Sequence, residues 1–228
     1  METPKTIAVI LDGNGRWAEA HGKKRYEGHT AGIFNLIRLM DAAFSMGVEN
    51  VICYGLSTEN LFREKIEVDH IYELMLQVHK SFVETFTKRE ASVKYVGKIE
   101  KLPEPVKLAM QKSEEALKAF EGNGKKMYIG VAYGSRNEIV EAINDLVEKG
   151  EKVDEKSFLE HLSVPIEPEL LIRTGGEKRL SNFLLYQLSY TELYFSDKLF
   201  PDFTPDDLKE AIEWFKRRDR RYGLIKKK

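Results

Sequence analysis

Ile7-Ala8-Val9-Ile10-Leu11 runs straight into Asp12-Gly13-Asn14-Gly15-Arg16-Trp17, and this junction decides how the chain is read. The apolar run has the length and β-branching of a buried strand. The two glycines and the asparagine then let the backbone turn tightly and admit a ligand where a Cβ would stand in the way. Asp12 and Arg16 flank the turn with one carboxylate and one guanidinium, the groups that hold a metal ion and a phosphate together. On spacing alone the same residues also suit a plain strand-to-helix turn with a surface ion pair. Two nucleotide-binding loops are excluded. The G-x-G-x-x-G fingerprint needs glycine where Ala18 stands, and the lysine of G-x-x-x-x-G-K-[ST] is missing from this turn.

Outward from the junction, short apolar runs alternate with amphipathic segments. Strands are expected over 6–11, 51–54, 92–96, 126–132, 170–173 and 191–195, and helices over 30–46, 68–89, 104–120, 136–149, 155–162 and 205–221. Strand and helix in turn, with short gaps, predict an α/β fold with a mainly parallel sheet covered on both faces. Ligands of such sheets sit outside the carboxyl ends of the strands. A chain of 228 residues buries roughly 70% of its unfolded surface and needs no staples. With 42% hydrophobic and 32% charged residues it reads as a soluble globule, and a net charge of −1 provides no global field for nucleic acid. Cys53 is the single cysteine, so no disulfide forms within the chain and a cytoplasmic setting is expected. There is no signal-peptide pattern and no apolar stretch of membrane-spanning length.

Polar segments end three of the predicted strands and would meet at one rim. Beside Asp12, Arg25-Tyr26-Glu27-Gly28-His29 opens the first long helix, with His29 or Thr30 placed to cap it and Arg25 and His29 placed to hold a diphosphate. Ser57-Thr58-Glu59-Asn60-Leu61-Phe62-Arg63 offers hydroxyls and an amide for orientation and Arg63 for phosphate. Arg173-Thr174-Gly175-Gly176-Glu177-Lys178-Arg179-Leu180-Ser181-Asn182-Phe183 sets two arginines and a serine around a Gly-Gly turn, a donor-rich pocket suited to a planar phosphate grip. Glu192 is a lone carboxylate in an apolar run, where burial demands a partner or a metal. The helix over 68–89 carries apolar side chains beyond one core stripe. At ~30 Å it is long enough to line a tunnel for a hydrocarbon, although core packing explains much of the same pattern.

Together, Asp12-Gly13-Asn14-Gly15-Arg16-Trp17, Gly28-His29, Ser57-Thr58-Glu59-Asn60 and Ile172-Arg173-Thr174-Gly175-Gly176-Glu177 through Arg179-Leu180-Ser181-Asn182-Phe183 resemble the cis-prenyltransferases, the undecaprenyl diphosphate synthase or isoprenyl transferase family. Tyr133-Gly134-Ser135-Arg136, Thr191-Glu192-Leu193-Tyr194-Phe195, Pro201-Asp202-Phe203 and Arg221-Tyr222-Gly223 extend the resemblance nearly end to end. It implies one catalytic domain over 1–228, with a mostly parallel six-stranded sheet, flanking helices, a hydrophobic tunnel and a homodimer. It also implies condensation of isopentenyl diphosphate onto an allylic diphosphate (geranyl, farnesyl or geranylgeranyl) to give a cis-polyprenyl diphosphate, a lipid-carrier precursor.

In that picture Asp12 binds Mg²⁺ and assists departure of the allylic diphosphate, with Glu192 supporting the metal. Gly13, Asn14, Gly15 and Arg16, with Arg25 and His29, hold that diphosphate, and Trp17, Ser57, Thr58, Glu59, Leu61 and Arg63 belong to the substrate surroundings. Arg173, Arg179 and Ser181, beside Leu180, hold the diphosphate of isopentenyl diphosphate. Gly223 completes a neighbouring subunit's site. Asn60 stands where the family pattern places proton loss, yet an amide is a poor base, and it reads as orienting. The family commonly has Glu-Asn-Trp and Arg-Pro where this chain has Glu59-Asn60-Leu61 and Arg63-Glu64, a change beside the allylic substrate and its loop. Prenyl transfer to another acceptor and a silent partner subunit are the competing readings, and the latter sits poorly with intact phosphate ligands. The basic stretch Lys216 to Arg221, with Lys226-Lys227-Lys228, is a solvated helix end or a contact for anionic lipid.

Overall fold

The computed structural model describes residues 1–220, and its centre is the strand read first. Strand β1 (Thr6–Ile10) is buried along its whole length, as a strand covered on both faces must be. The elements that follow are α1 (Asn14–Ala20), α2 (Glu27–Ser45), β2 (Asn50–Ser57), α3 (Lys65–Lys88), β3 (Ser92–Val96), α4 (Glu104–Leu117) and β4 (Lys126–Tyr133). The chain then forms α5 (Ser135–Lys149), α6 (Glu155–His161), β5 (Leu170–Arg173), β6 (Glu192–Phe195) and α7 (Pro205–Lys216), with short 3₁₀ turns at Glu59–Phe62 and Phe200–Asp202 among others.

Six strands form one sheet in the order β3-β4-β2-β1-β5-β6. Every pairing is parallel, with Ile7 opposite both Val51 and Leu170. All carboxyl ends therefore lie on one rim. Alternation along β1 divides the core. Ile7 and Val9 face Leu36, Leu39, Phe82, Phe86 and Phe215 from the helices on one side. Ala8 and Ile10, with Tyr54, face Phe183, Leu184 and Leu188 on the other. Each buried Val, Leu, Ile or Phe among them contributes about 1.5–3 kcal/mol by leaving water. Cys53 lies in the first core beside the Met40 sulfur, 3.6 Å away, and burial pushes its thiol upward, as suits a small core residue.

Three local expectations change. Helix α1 is an element that the apolar periodicity missed, because its first turn is built from the Asn-Gly-Arg of the junction. Helix α2 starts at Glu27, so His29 and Thr30 lie inside it, and no side chain caps it. Strand β2 runs on to Ser57 through two register shifts around Gly55, a bulge of the kind found beside active sites. Among the described residues no helix is long and apolar enough to cross a membrane.

Candidate active site

The loops leaving β1, β2 and β5 converge, as the alternation predicts, around a polar cavity of about 760 Å³. Asp12 is fixed at its centre. Its N–H donates to the Ile10 carbonyl at 3.0 Å, and its own carbonyl accepts from Phe200 N–H at 3.1 Å and from Thr174 Oγ1 at 2.8 Å. The carboxylate lies between two guanidiniums, with Arg173 Nη2 at 2.8 Å and Arg16 Nη2 at 3.1 Å. Next to it Gly13 has φ +108°, and a Cβ there would stand 2.8 Å from Leu199 Cδ2. Only glycine makes this turn.

Arg173 ends β5 and is 3% exposed. Its Nη1 donates to Ser181 Oγ at 2.9 Å and to the Arg179 carbonyl. Its Nε is buried without a partner. A buried guanidinium with an unspent donor is a poor structural element and a good anion ligand. Ser181 and Asn182 are both left-handed, with φ of 51° and 63°, a conformation that non-glycine residues adopt at a cost and mostly at functional loops. Asn182 fastens the strained loop: its carbonyl accepts from Ser135 N–H at 2.8 Å, its Oδ1 accepts from Arg136 N–H at 2.9 Å, and its Nδ2 donates to Glu59 at 3.2 Å. Arg179 lines the same cavity, with its guanidinium paired to Glu177.

A second basic group gathers on the opposite wall around one carboxylate, Glu67 of α3. His29 Nε2 lies 2.9 Å from it, Arg63 Nη1 2.7 Å and Arg25 Nε 3.9 Å. Burial holds the His29 imidazole below its ordinary value of 6.5, so it is neutral at pH 7, and its Nε2–H donates to Glu67. Burial alone would raise the Glu67 carboxyl, but the His29 hydrogen bond and the Arg63 charge keep it below 4.5. Ser57 and Asn60 lock each other: Ser57 N–H donates to Asn60 Oδ1 and Asn60 N–H to Ser57 Oγ, both at 3.2 Å.

Not every expected residue reaches the cavity. Trp17 turns away on α1, where its indole N–H donates to Asp202 at 2.7 Å. Thr58 faces back, with its N–H on the Tyr133 carbonyl at 2.9 Å. Leu61 packs against one core and Leu180 against the other, so both support the rim from behind. Glu192 opens β6 and pairs in register with Leu170, the first residue of β5, while Arg173 pairs with Phe195. It therefore lies at the opposite end of the sheet from Asp12, and its carboxylate accepts from Arg218 at 2.9 Å. One copy of the chain does not bring Glu192 and Asp12 to one metal. Gly223 and its neighbours Arg221 and Tyr222 lie outside the described residues. The sequence reading missed Glu67, Arg136, Asn182 and Tyr54, all of which line the cavity.

An apolar cavity of about 100 Å³ opens off the polar one between α2 and α3. Leu11, Asn14, His29, Gly55, Leu56 and Ile71 border both, so the Glu67 group stands at the junction. The bulge of β2 places side-chain-free Gly55 there. Two basic groups thus flank the Asp12 carboxylate, and one of them sits at the mouth of an apolar hole.

The chain is similar to known proteins over nearly its whole length. The profile of the family described as "Putative undecaprenyl diphosphate synthase" matches residues 10–223. An isoprenyl transferase of Thermotoga maritima is 39% identical over 98% of each chain. Dehydrodolichyl diphosphate synthase 3 of Arabidopsis thaliana is 39% identical over 96% of this chain and 76% of its own. Among solved structures, lavandulyl diphosphate synthase from Lavandula x intermedia, in complex with dimethylallyl diphosphate, superimposes with a TM-score of 0.91 at 36% identity, over 97% of this chain and 98% of that one. On sequence and fold together, the chain belongs to the undecaprenyl diphosphate synthase family of cis-prenyltransferases.

Proposed function

We propose that the chain condenses isopentenyl diphosphate with an allylic diphosphate and forms the new double bond cis. The observation that carries this reading is the division of the rim. The Gly13–Arg16 turn with Arg25 and His29 holds one diphosphate at the mouth of the apolar cavity, and Arg173, Arg179 and Ser181 hold a second across Asp12. A tail entering the cavity selects the first position for the allylic substrate. Dimethylallyl diphosphate bound to the lavender enzyme supports a prenyl diphosphate at such a site.

The allylic C–O bond breaks, and its electron pair leaves on the diphosphate. The double-bond electrons of isopentenyl diphosphate form the new C–C bond, and the adjacent carbon loses a proton to an oxygen of the released diphosphate. Fixed cations around the departing oxygens stabilise the charge that develops there. The apolar cavity keeps water from the allylic cation. Asn60, with Oδ1 spent on Ser57, orients rather than accepts the proton.

Mg²⁺ fits the rim. Among the described residues no cluster of three or more ligating side chains exists, but a single carboxylate plus substrate phosphates is the oxygen set this ion favours. Asp12 would hold it with the two diphosphates, and bound there it would neutralise charge on the departing one. The position of Glu192 gives no support to a second ligand from the same chain.

A homodimer draws support from α5, where Val140, Ile143 and Val147 are 56%, 44% and 70% exposed in one stripe. A second copy would cover it, and sedimentation of wild type against Val147→Glu tests that, with one unchanged monomeric species in both defeating it. Lipid contact through the basic end gains less: Arg218 is folded onto Glu192, and Arg220 donates to the Tyr190 carbonyl.

The function is tested by incubating purified protein with Mg²⁺, labelled isopentenyl diphosphate and primers of increasing length. Labelled prenyl diphosphate is expected, and no product from any primer overturns the reading. Silent-partner and other-acceptor readings separate in the same assay. The first gives no product alone, and the second gives product only with an added acceptor.

A further inference from the structure

Six arginines and four carboxylates line the polar cavity. Five of those arginines are already matched. Arg16 and Arg173 lie on Asp12 at 3.1 and 2.8 Å, Arg25 and Arg63 on Glu67 at 3.9 and 2.7 Å, and Arg179 on Glu177. Arg136 is the exception. Its side chain is exposed, and among the described residues no carboxylate oxygen lies within 4.0 Å of its guanidinium. Glu59, the lining carboxylate without an arginine, is turned to Asn182 Nδ2 at 3.2 Å instead.

This unmatched cation is held by the loop that carries Ser181. Gly134 precedes α5, and a Cβ there would stand 2.7 Å from Asn182 Nδ2. Without one, the start of the helix abuts the loop. Asn182 accepts from the N–H groups of both Ser135 and Arg136, and Ser135 Oγ in turn accepts from Leu185 N–H at 2.9 Å. From beneath, the Tyr54 hydroxyl donates to the Ser181 carbonyl at 3.2 Å. The next two N–H groups of α5, from Asn137 and Glu138, both lie on the Gly134 carbonyl at 3.1 Å. Every donor of the first turn is thus spent, and the helix end itself takes no anion. What it supplies is a rigid base for one guanidinium beside Ser181.

A guanidinium that already sits on a carboxylate must share or surrender that partner when an anion arrives, so only the difference is gained. Arg136 has no such partner to give up, and its planar fork suits two phosphate oxygens at once. Arg173 is 3% exposed and works from within the rim. Arg136 stands at the open edge, on the side of Ser181 and across the cavity from the Glu67 group. An exposed charge there acts on an approaching anion over about 10 Å at 0.1 M salt.

We propose that Arg136 is a further ligand for the diphosphate of isopentenyl diphosphate, meeting it at the open edge before Arg173 and Ser181 seat it. This rests on the condensation reading above and adds a binding residue to the second diphosphate. Arg136 acts on capture of that substrate and not on the bond-making step, so it governs KM and leaves kcat.

Initial rates over a grid of both substrates test this. Arg136→Gln is expected to raise the KM for isopentenyl diphosphate about tenfold, with kcat and the primer KM within about twofold of wild type. The gap should narrow as salt rises from about 0.05 to 0.5 M, because screening weakens an exposed charge. A merely structural role would not follow salt in this way. Arg136→Lys, which keeps the charge and loses the fork, should fall between the two. Lys94→Gln removes the same charge from an exposed position on the edge strand β3 and should change nothing. Calorimetry with isopentenyl diphosphate alone gives a readout apart from turnover, and Arg136→Gln should lose about tenfold in affinity there too, with thermal midpoints showing that each variant is folded. Unchanged KM and affinity in folded Arg136→Gln, a rise confined to the primer KM, or an equal loss in Lys94→Gln overturns the role of Arg136 and leaves condensation standing. Wild type that binds isopentenyl diphosphate but forms no product from any primer overturns condensation, and the calorimetry still decides Arg136.

Discussion

Arg173 has both terminal nitrogens engaged and its inner donor left over, with Nη1 on Ser181 and Arg179, Nη2 on Asp12 and Nε buried without a partner. Its planar fork is what allows three directions to be satisfied from one buried point, and lysine cannot reproduce this. Arg173→Lys is therefore expected to raise the KM for isopentenyl diphosphate tenfold or more with little effect on primer affinity. Initial rates over a grid of both substrates check it, and an unchanged KM would place the second diphosphate elsewhere. Asp12→Ala should abolish turnover and leave the thermal midpoint within a few degrees, because Asp12 sits on a rim and its backbone contacts survive. Equal activity in that variant removes Asp12 from the chemistry. Both residues were legible in the sequence as polar groups placed directly after apolar strands. Glu67 was not, because a carboxylate on a helix face is ordinary until folding brings Arg25, His29 and Arg63 around it.

The junction turn works only because the helix beside it is smooth. Gly28 and Gly32 lie one turn apart on α2, and a Cβ on Gly28 would stand 1.9 Å from the Asn14 carbonyl oxygen, while one on Gly32 would meet Asn14 Oδ1 at 2.3 Å. Backbone cannot yield as a side-chain tip does. Gly28→Ala should therefore lower stability by about 1–3 kcal/mol, as overpacking does, and reduce activity further by moving the junction turn. Denaturant midpoints and turnover read the two effects, and a neutral Gly28→Ala would mean that α1 and α2 do not meet this closely. Thr204 is the control. It caps α7 in a reciprocal box with Asp207, so Thr204→Ala should cost about 1 kcal/mol with turnover unchanged. Strand β5 was readable to the residue, because a buried parallel strand is an apolar run bounded by polar turns, and β3 was readable from β-branched and aromatic residues on either side of Lys94 at the sheet edge. Helix α1 and the start of α2 were not, because close backbone approach and tertiary contact make them, and neither leaves an apolar period in the sequence.

For the whole molecule, parallel topology was legible from alternation, and with it the single rim on which the site lies. The placement of Glu192 was not, because its motif shows a carboxylate in a strand and only register shows which end of the sheet it occupies. The Glu67 group also ties global stability to pH, with a sign that follows from its pKa directions. Burial keeps folded His29 below 6.5, so on acidification the unfolded chain takes up its proton first. Stability rises with pH wherever the unfolded state binds more protons. It must therefore fall as pH drops below 6.5, by up to about 1.4 kcal/mol per unit, until folded His29 also titrates. For Glu67, burial opposes but the His29 hydrogen bond and Arg63 charge prevail, holding the folded carboxyl below 4.5. Its contribution is complete above that value and is lost as pH falls through the lower folded one. Acid should thus destabilise the protein in two stages, the first beginning near 6.5 and the second near 4.5. Denaturant midpoints from pH 8 down to about 3 would show both. His29→Gln should erase the upper stage and Glu67→Gln flatten the lower one, whereas a His29→Gln curve parallel to wild type would show that this imidazole titrates alike in the folded and unfolded chain.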